Sequence, residues 1–162
     1  MIPQKEMQKV AIFTPLSRQM VENLAAIGDV TTAGKGEYLF HEGDPAEDFY
    51  IIKDGKVILE FEHPDGTIDT EIVSPGMGVG CSSLAGLSKY TAHGRCEEDA
   101  RFLHWRQSAL RDLFDREDRL GYLLLRASAK MIGRRIKGKR HKLSEPRHYP
   151  PQDMESRMTI GV

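Results

Sequence analysis

Two cysteines in 162 residues, Cys81 and Cys96, are too few for a disulfide scaffold. No apolar run approaches the roughly twenty residues that cross a bilayer, so no membrane partner is expected. The first fourteen residues lack the basic start and apolar stretch of a signal peptide, and a cytoplasmic protein is expected. The six histidines, at positions 41, 63, 93, 104, 141 and 148, stand isolated along the chain, and no His-x-His occurs. The closely spaced histidine pair of a cupin-type metal enzyme is therefore missing. Cys81 with His93 would be a conceivable catalytic pair, but no third group is in view to orient it. No enzyme is expected, and no metal site.

What the chain does have is an ordinary globular composition, with 40% hydrophobic residues, enough for one domain with a real core. Its net charge of −1 is unevenly placed. Up to residue 132 it carries 15 Lys and Arg against 21 Asp and Glu, and beyond that 8 against 3. A basic end on an acidic body can attract nucleic acid or an acidic partner. Cations at the end of a helix are also favoured by its dipole.

Three regimes follow along the chain. Phe13, Leu16, Met20, Leu24 and Ile27 recur at helical spacing and predict a helix over 14–28, capped by Thr14 or Ser17 and stopped by Gly28. From Val30 to Trp105 the pattern becomes short strands between glycine turns. Strands are expected at 37–40, 49–52, 56–62, 67–73, 91–96 and 101–105. In the third, Val57, Leu59 and Phe61 face one way and Lys56, Glu60 and Glu62 the other, with Asp65-Gly66 turning into the next. Many short strands separated by Gly34, Gly36, Gly43, Gly55, Gly66, Gly76, Gly78 and Gly80 predict a sandwich, jelly roll or barrel.

Helices return over 108–136, the first capped by Ser108 and carrying Leu110, Leu113 and Phe114, the second running from about Arg119 to Ile136. The second has two apolar stripes: Leu120, Leu124, Ala127 and Met131, then Leu125, Ala129, Ile132 and Ile136. One stripe can lie on the β-body while the other meets a partner helix, so a homodimer through 119–136 is expected. The boundary between this domain (1–136) and a basic, mostly disordered tail (137–162) falls where apolar periodicity ends. That tail is too short and polar for a helix-turn-helix, so the chain alone is not expected to read nucleic acid.

The run Gly36-Glu-Tyr-Leu-Phe-His-Glu-Gly43-Asp44, then Phe49-Tyr-Ile-Ile-Lys-Asp-Gly55-Lys-Val57, Asp65-Gly66, Gly76 and Gly78-Val-Gly80 resembles the cyclic-nucleotide-binding domain family, over roughly Leu16 to Leu143. The resemblance implies a mainly β fold: a β-roll over 30–105 with an N-terminal helix and a long C-terminal helix. It also implies a phosphate-binding cassette opening at Gly80, a short helix whose N–H groups meet an anion.

In the family a glutamate follows that glycine and holds the ribose, and an arginine about ten residues on pairs with the cyclic phosphate. Here those positions hold Cys81 and, anchored on Glu98-Asp99, Tyr90, with Thr91 keeping a small hydroxyl. Removing one member of a buried charged pair costs about 3–5 kcal/mol, or several hundred-fold in affinity. Lys89 lacks the fork geometry to compensate. The helix stretch that touches the purine in the activator proteins falls near Lys139-Arg140, without hydroxyls. Tight cyclic nucleotide binding is therefore not expected.

The cassette Gly80, Cys81, Ser82, Ser83 and Leu84, with Tyr90 and Thr91, is the expected ligand site. Gly80-Cys-Ser-Ser-Leu and Tyr90-Thr91-Ala92 are similar to a branch of small stand-alone bacterial members, where a rebuilt pocket would serve an unknown small molecule. Cys81 reads as a small hydrophobe, a thiolate at a helix start, or a haem ligand; the last lacks a histidine two residues on, where Ser83 stands. Tyr90 would either contact a ligand or fill the vacant pocket. Three functions follow: a sensing or regulatory module signalling through its last helix, a ligand-free dimeric scaffold, or a transcription-associated regulator working through a partner protein.

Overall fold

A computed structural model describes residues 1–140, with side chains to residue 138. The chain divides into two units after Ile132. Eight strands make up the body of the first: β1 (Asp29–Ala33), β2 (Tyr38–Phe40), β3 (Asp48–Asp54), β4 (Val57–Glu62), β5 (Ile68–Val73), β6 (Gly78–Val79), β7 (His93–Cys96) and β8 (Ala100–Arg106). They form two four-stranded antiparallel sheets, ordered β1-β8-β3-β6 and β2-β7-β4-β5. This is the β-roll, and the strand alternation accounts for it. Val57 and Leu59 turn inward with Ile52, Phe102 and Cys96, while Glu60 and Glu62 turn out. Ile68 and Ile72, on the edge strand β5, point to the exterior.

Among the described residues five α-helices are formed: α1 (Gln4–Met7), α2 (Arg18–Ala26), α3 (Cys81–Leu84), α4 (Gln107–Arg116) and α5 (Asp118–Arg140). The single N-terminal helix expected over 14–28 is instead α1, a 3-10 turn at Ala11–Phe13, and α2. Ser17 is extended and accepts a hydrogen bond from Met20 N–H, so the helix starts after it, and Phe13 and Leu16 belong to the turn before. Gly28 is needed for closeness rather than as a stop. A Cβ there would sit 2.5 Å from Trp105 Nε1, which donates to Leu24 O, and 2.5 Å from Ile2. That packing buries Ile2, Phe13, Leu24 and Trp105 in one core with Leu110, Leu113, Leu120 and Leu124.

Strand β1 was not separately legible. Its residues Asp29 to Ala33 alternate without a large buried side chain, and pairing with β8 defines it. Ser108 does not cap α4. Strand β8 runs straight into the helix, Arg106 takes the cap position, and Gln107 N–H bonds Glu47 O at 2.7 Å.

Helix α5 extends four residues past the expected end at 136, so residues 137–140 are helical. The rest of the expected tail, with the Arg140 and Lys139 side chains, lies outside the described residues. The first stripe of α5 packs inward, with Leu120 and Leu124 fully buried and Met131 Sδ accepting from Gly78 N–H at 3.3 Å. The second faces out: Leu125 is 40% exposed, Ala129 exposed and Ile132 half-buried. Among the described residues, no helix is long and apolar enough to cross a membrane.

Candidate functional site

The segment after β6 must turn sharply to start α3, and Gly80 makes that turn in the left-handed region at φ 75°. Only glycine fits, because a Cβ would lie 2.6 Å from Asp48 O. Cys81 to Leu84 then form one helical turn against the first core, which buries Leu84 and packs on Cys81. The Ser83 hydroxyl donates to Gly80 O at 2.8 Å and lies 2.9 Å from Asp48 O. Ser83 N–H is also taken, by Gly80 O at 3.0 Å. Cys81 Sγ lies 3.8 Å from Gly78 O.

Tyr90 closes the other side. It is 5% exposed, its ring stacks on Phe40 at 4.1 Å between centroids, and its edge reaches the space over Gly80. The hydroxyl donates to Asp48 O at 2.8 Å and accepts from Asp48 N–H at 2.9 Å. Burial pushes this phenol up to about 12, with the nearby acids Asp48 and Glu47 adding to the shift. Thr91 Oγ1 sits 3.5 Å from Ser82 Oγ. All seven expected site residues therefore come together, and Asp48 joins them.

Asp48 was not picked out from the sequence. Its backbone holds Tyr90 and Ser83, while its carboxylate takes His104 Nε2 at 2.7 Å and has Arg106 Nε at 3.6 Å. No local motif marks such a residue, because its partners lie far away in the chain. The isolation of the histidines also ends in the fold. His41 Nδ1 lies 3.3 Å from His93 Nδ1, and His93 meets Glu42 and Glu62. The strand periodicity did contain part of this, since Glu60 faces His93 across β4 and β7 and Glu62 follows on the same side. Cys96 is buried, and burial raises its thiol above the ordinary range.

Residues 30–117 match the family model described as the cyclic nucleotide-binding domain. Among solved structures, the N-terminal domain of a transcriptional regulator from Streptomyces coelicolor is 27% identical, with a TM-score of 0.64 over 86% of this chain and 98% of that one. A cyclic nucleotide-binding domain from Methylobacillus flagellatus is 21% identical, with a TM-score of 0.73 over 86% and 79%. The sensor domain of the transcriptional regulator DNR from Pseudomonas aeruginosa is 23% identical, with a TM-score of 0.65 over 83% and 91%. The last two similarities show the fold. No curated protein sequence matches the chain.

Proposed function

Because this chain belongs to the cyclic nucleotide-binding domain family, we propose that it is a non-catalytic regulatory module whose cassette does not hold a cyclic nucleotide tightly. One observation carries this reading. Tyr90, at the position where the family places its phosphate-pairing arginine, is buried, stacked on Phe40 and bonded twice to the Asp48 peptide. A side chain with its polar atom satisfied inside the roll supports a pocket filled from within. With Cys81 in the glutamate position, neither charged anchor of the ligand is available.

The output runs through α5. Leu125, Ala129 and Ile132 make an apolar stripe on the outer side of a helix whose inner side is already packed, and Ile136 is 55% exposed. A second copy of the chain covers that stripe in a helix pair. Calorimetric titration with cyclic AMP and cyclic GMP tests the pocket. No heat is expected up to millimolar nucleotide, and micromolar binding would overturn the reading.

The filled position of Tyr90 also favours a second reading, a dimeric scaffold with no small-molecule input. Native mass spectrometry of freshly purified protein separates the two. A retained small molecule supports sensing, and a mass equal to the bare dimer supports the scaffold. Action on transcription through a partner protein is a third reading, checked by gel shift at physiological salt; binding to random duplex would show phosphate contacts made by the chain itself.

A further inference from the structure

We propose that Glu42, Glu62 and His93 form a binding site for a divalent transition-metal ion of the zinc class, on the outer face of the second sheet. The sheet register builds it. His93 stands opposite Glu60 where β7 pairs with β4, and Glu62 lies two residues further along β4 on the same face. Glu42 comes from the turn after β2, and without metal its N–H lies 3.1 Å from His93 Nδ1.

The donor atoms are nearly in place. His93 Nε2 lies 3.3 Å from Glu62 Oε1 and 4.0 Å from Glu42 Oε2, and all three donor atoms fall within 4.8 Å of one another. Zinc bonds of about 2.0–2.2 Å place neighbouring ligands roughly 3.3–3.5 Å apart in a tetrahedron. One separation already matches, and the other closes by rotation of an exposed glutamate. The unfilled cluster is poorly satisfied. Two carboxylates crowd one ring, and among the described residues buried His93 Nε2 has no hydrogen-bond partner, Glu62 Oε1 lying within ion-pair distance only. A cation between them relieves the like-charge repulsion and occupies the orphaned nitrogen.

An imidazole with two carboxylates suits zinc and its neighbours better than magnesium or calcium, which prefer oxygen ligands alone. Three protein ligands leave a fourth position for water. With metal on Nε2, the ring hydrogen of neutral His93 moves to Nδ1. His41 Nδ1, 3.3 Å away, accepts it there as the outer partner that ligating histidines usually have. Carrying the hydrogen, Nδ1 no longer accepts from Glu42 N–H, and the loss of that contact is a cost set against metal affinity.

The ion would join the turn 41–44 to β4 and β7. That turn is also tied to Tyr90 by two backbone hydrogen bonds, Gly43 N–H to Tyr90 O and Tyr90 N–H to Asp44 O, each 3.0 Å. Metal occupancy thus stiffens the chain entering β7. The site stands whether or not the cassette holds a nucleotide.

The test is titration of chelator-treated full-length protein with zinc chloride, by calorimetry and by thermal unfolding, with magnesium chloride in parallel. Expected are one micromolar zinc site per chain, a rise in Tm with zinc, and no heat with magnesium. Glu62→Gln and Glu42→Gln change exposed side chains that the fold does not need. Each is expected to weaken zinc about tenfold or more and to remove the Tm rise, while His41→Ala weakens it by roughly tenfold through the ring it orients. His93→Gln abolishes it. Absence of binding below millimolar zinc, equal binding of magnesium, or unchanged affinity in both glutamine variants would overturn the proposal, the last by placing the ion on other histidines or thiols.

Discussion

The Tyr90 hydroxyl bonds both backbone polar atoms of one residue, donating to Asp48 O at 2.8 Å and accepting from Asp48 N–H at 2.9 Å. This contact bridges 42 positions of sequence and joins the cassette to the start of β3. Tyr90→Phe keeps the ring on Phe40 but leaves Asp48 N–H without its acceptor. A loss of about 1–3 kcal/mol is expected in urea unfolding. In Tyr90→Phe the Ser83 hydroxyl can turn from Gly80 O to Asp48 O, 2.9 Å away, so Tyr90→Phe combined with Ser83→Ala should cost more than the two single changes together.

The same phenol gives the fold an alkaline limit. Its folded value is raised from 10.0 to about 12, because burial disfavours phenolate. The neutral form is therefore favoured by folding. The stability it contributes is fully present below pH 10 and is lost as pH rises through about 12. Unfolding midpoints measured from pH 9 to 12 should fall less in Tyr90→Phe than in the wild type. Equal slopes would show that Tyr90 titrates normally.

Gly80 and Gly86 share a φ of 75° but not their surroundings. A Cβ at Gly80 would lie 2.6 Å from Asp48 O, whereas nothing lies within 4 Å of one at Gly86. Gly86→Ala should cost about 1–2 kcal/mol of backbone strain alone. Gly80→Ala carries that strain and also forces the cassette off β3, so a clearly larger loss is expected. Chemical denaturation of the two variants side by side measures the difference.

Leu124 and Leu125 are neighbours on α5 with opposite surroundings, the first fully buried and the second 40% exposed. Leu124→Ala should cost about 2–5 kcal/mol through a core cavity. Leu125→Glu should leave the single chain folded and shift sedimentation velocity from dimer to monomer. A Leu125→Glu protein that still sediments as a dimer would move the interface elsewhere.

The alternation of Val57, Leu59 and Phe61 with Glu60 and Glu62, and the glycines that punctuate it, were enough to place most strands within a residue or two. Those signals are local, since a strand pair joined by Asp65-Gly66 is specified by its own neighbours. The cassette was named through the family resemblance; what the residues add locally is a glycine at position 80, where the chain turns in the left-handed region. The division of the N-terminal helix was harder to see. Phe13 and Leu16 keep helical spacing even though they lie in a 3-10 turn and its exit, and the Ser17 cap decides the start of α2.

The sequence determined six of the eight strands by their own pattern and, through its family resemblance, the roll and the two residues standing where charged anchors are expected. Tertiary structure alone decided that Tyr90 lies flat on Phe40 with its hydroxyl on Asp48, and that His93 meets Glu42 and Glu62. It also decided which stripe of α5 is covered. The physical reason is distance along the chain: a pattern of two or three and a half residues reports which side of an element is apolar, but not what faces it from 42 or 52 positions away.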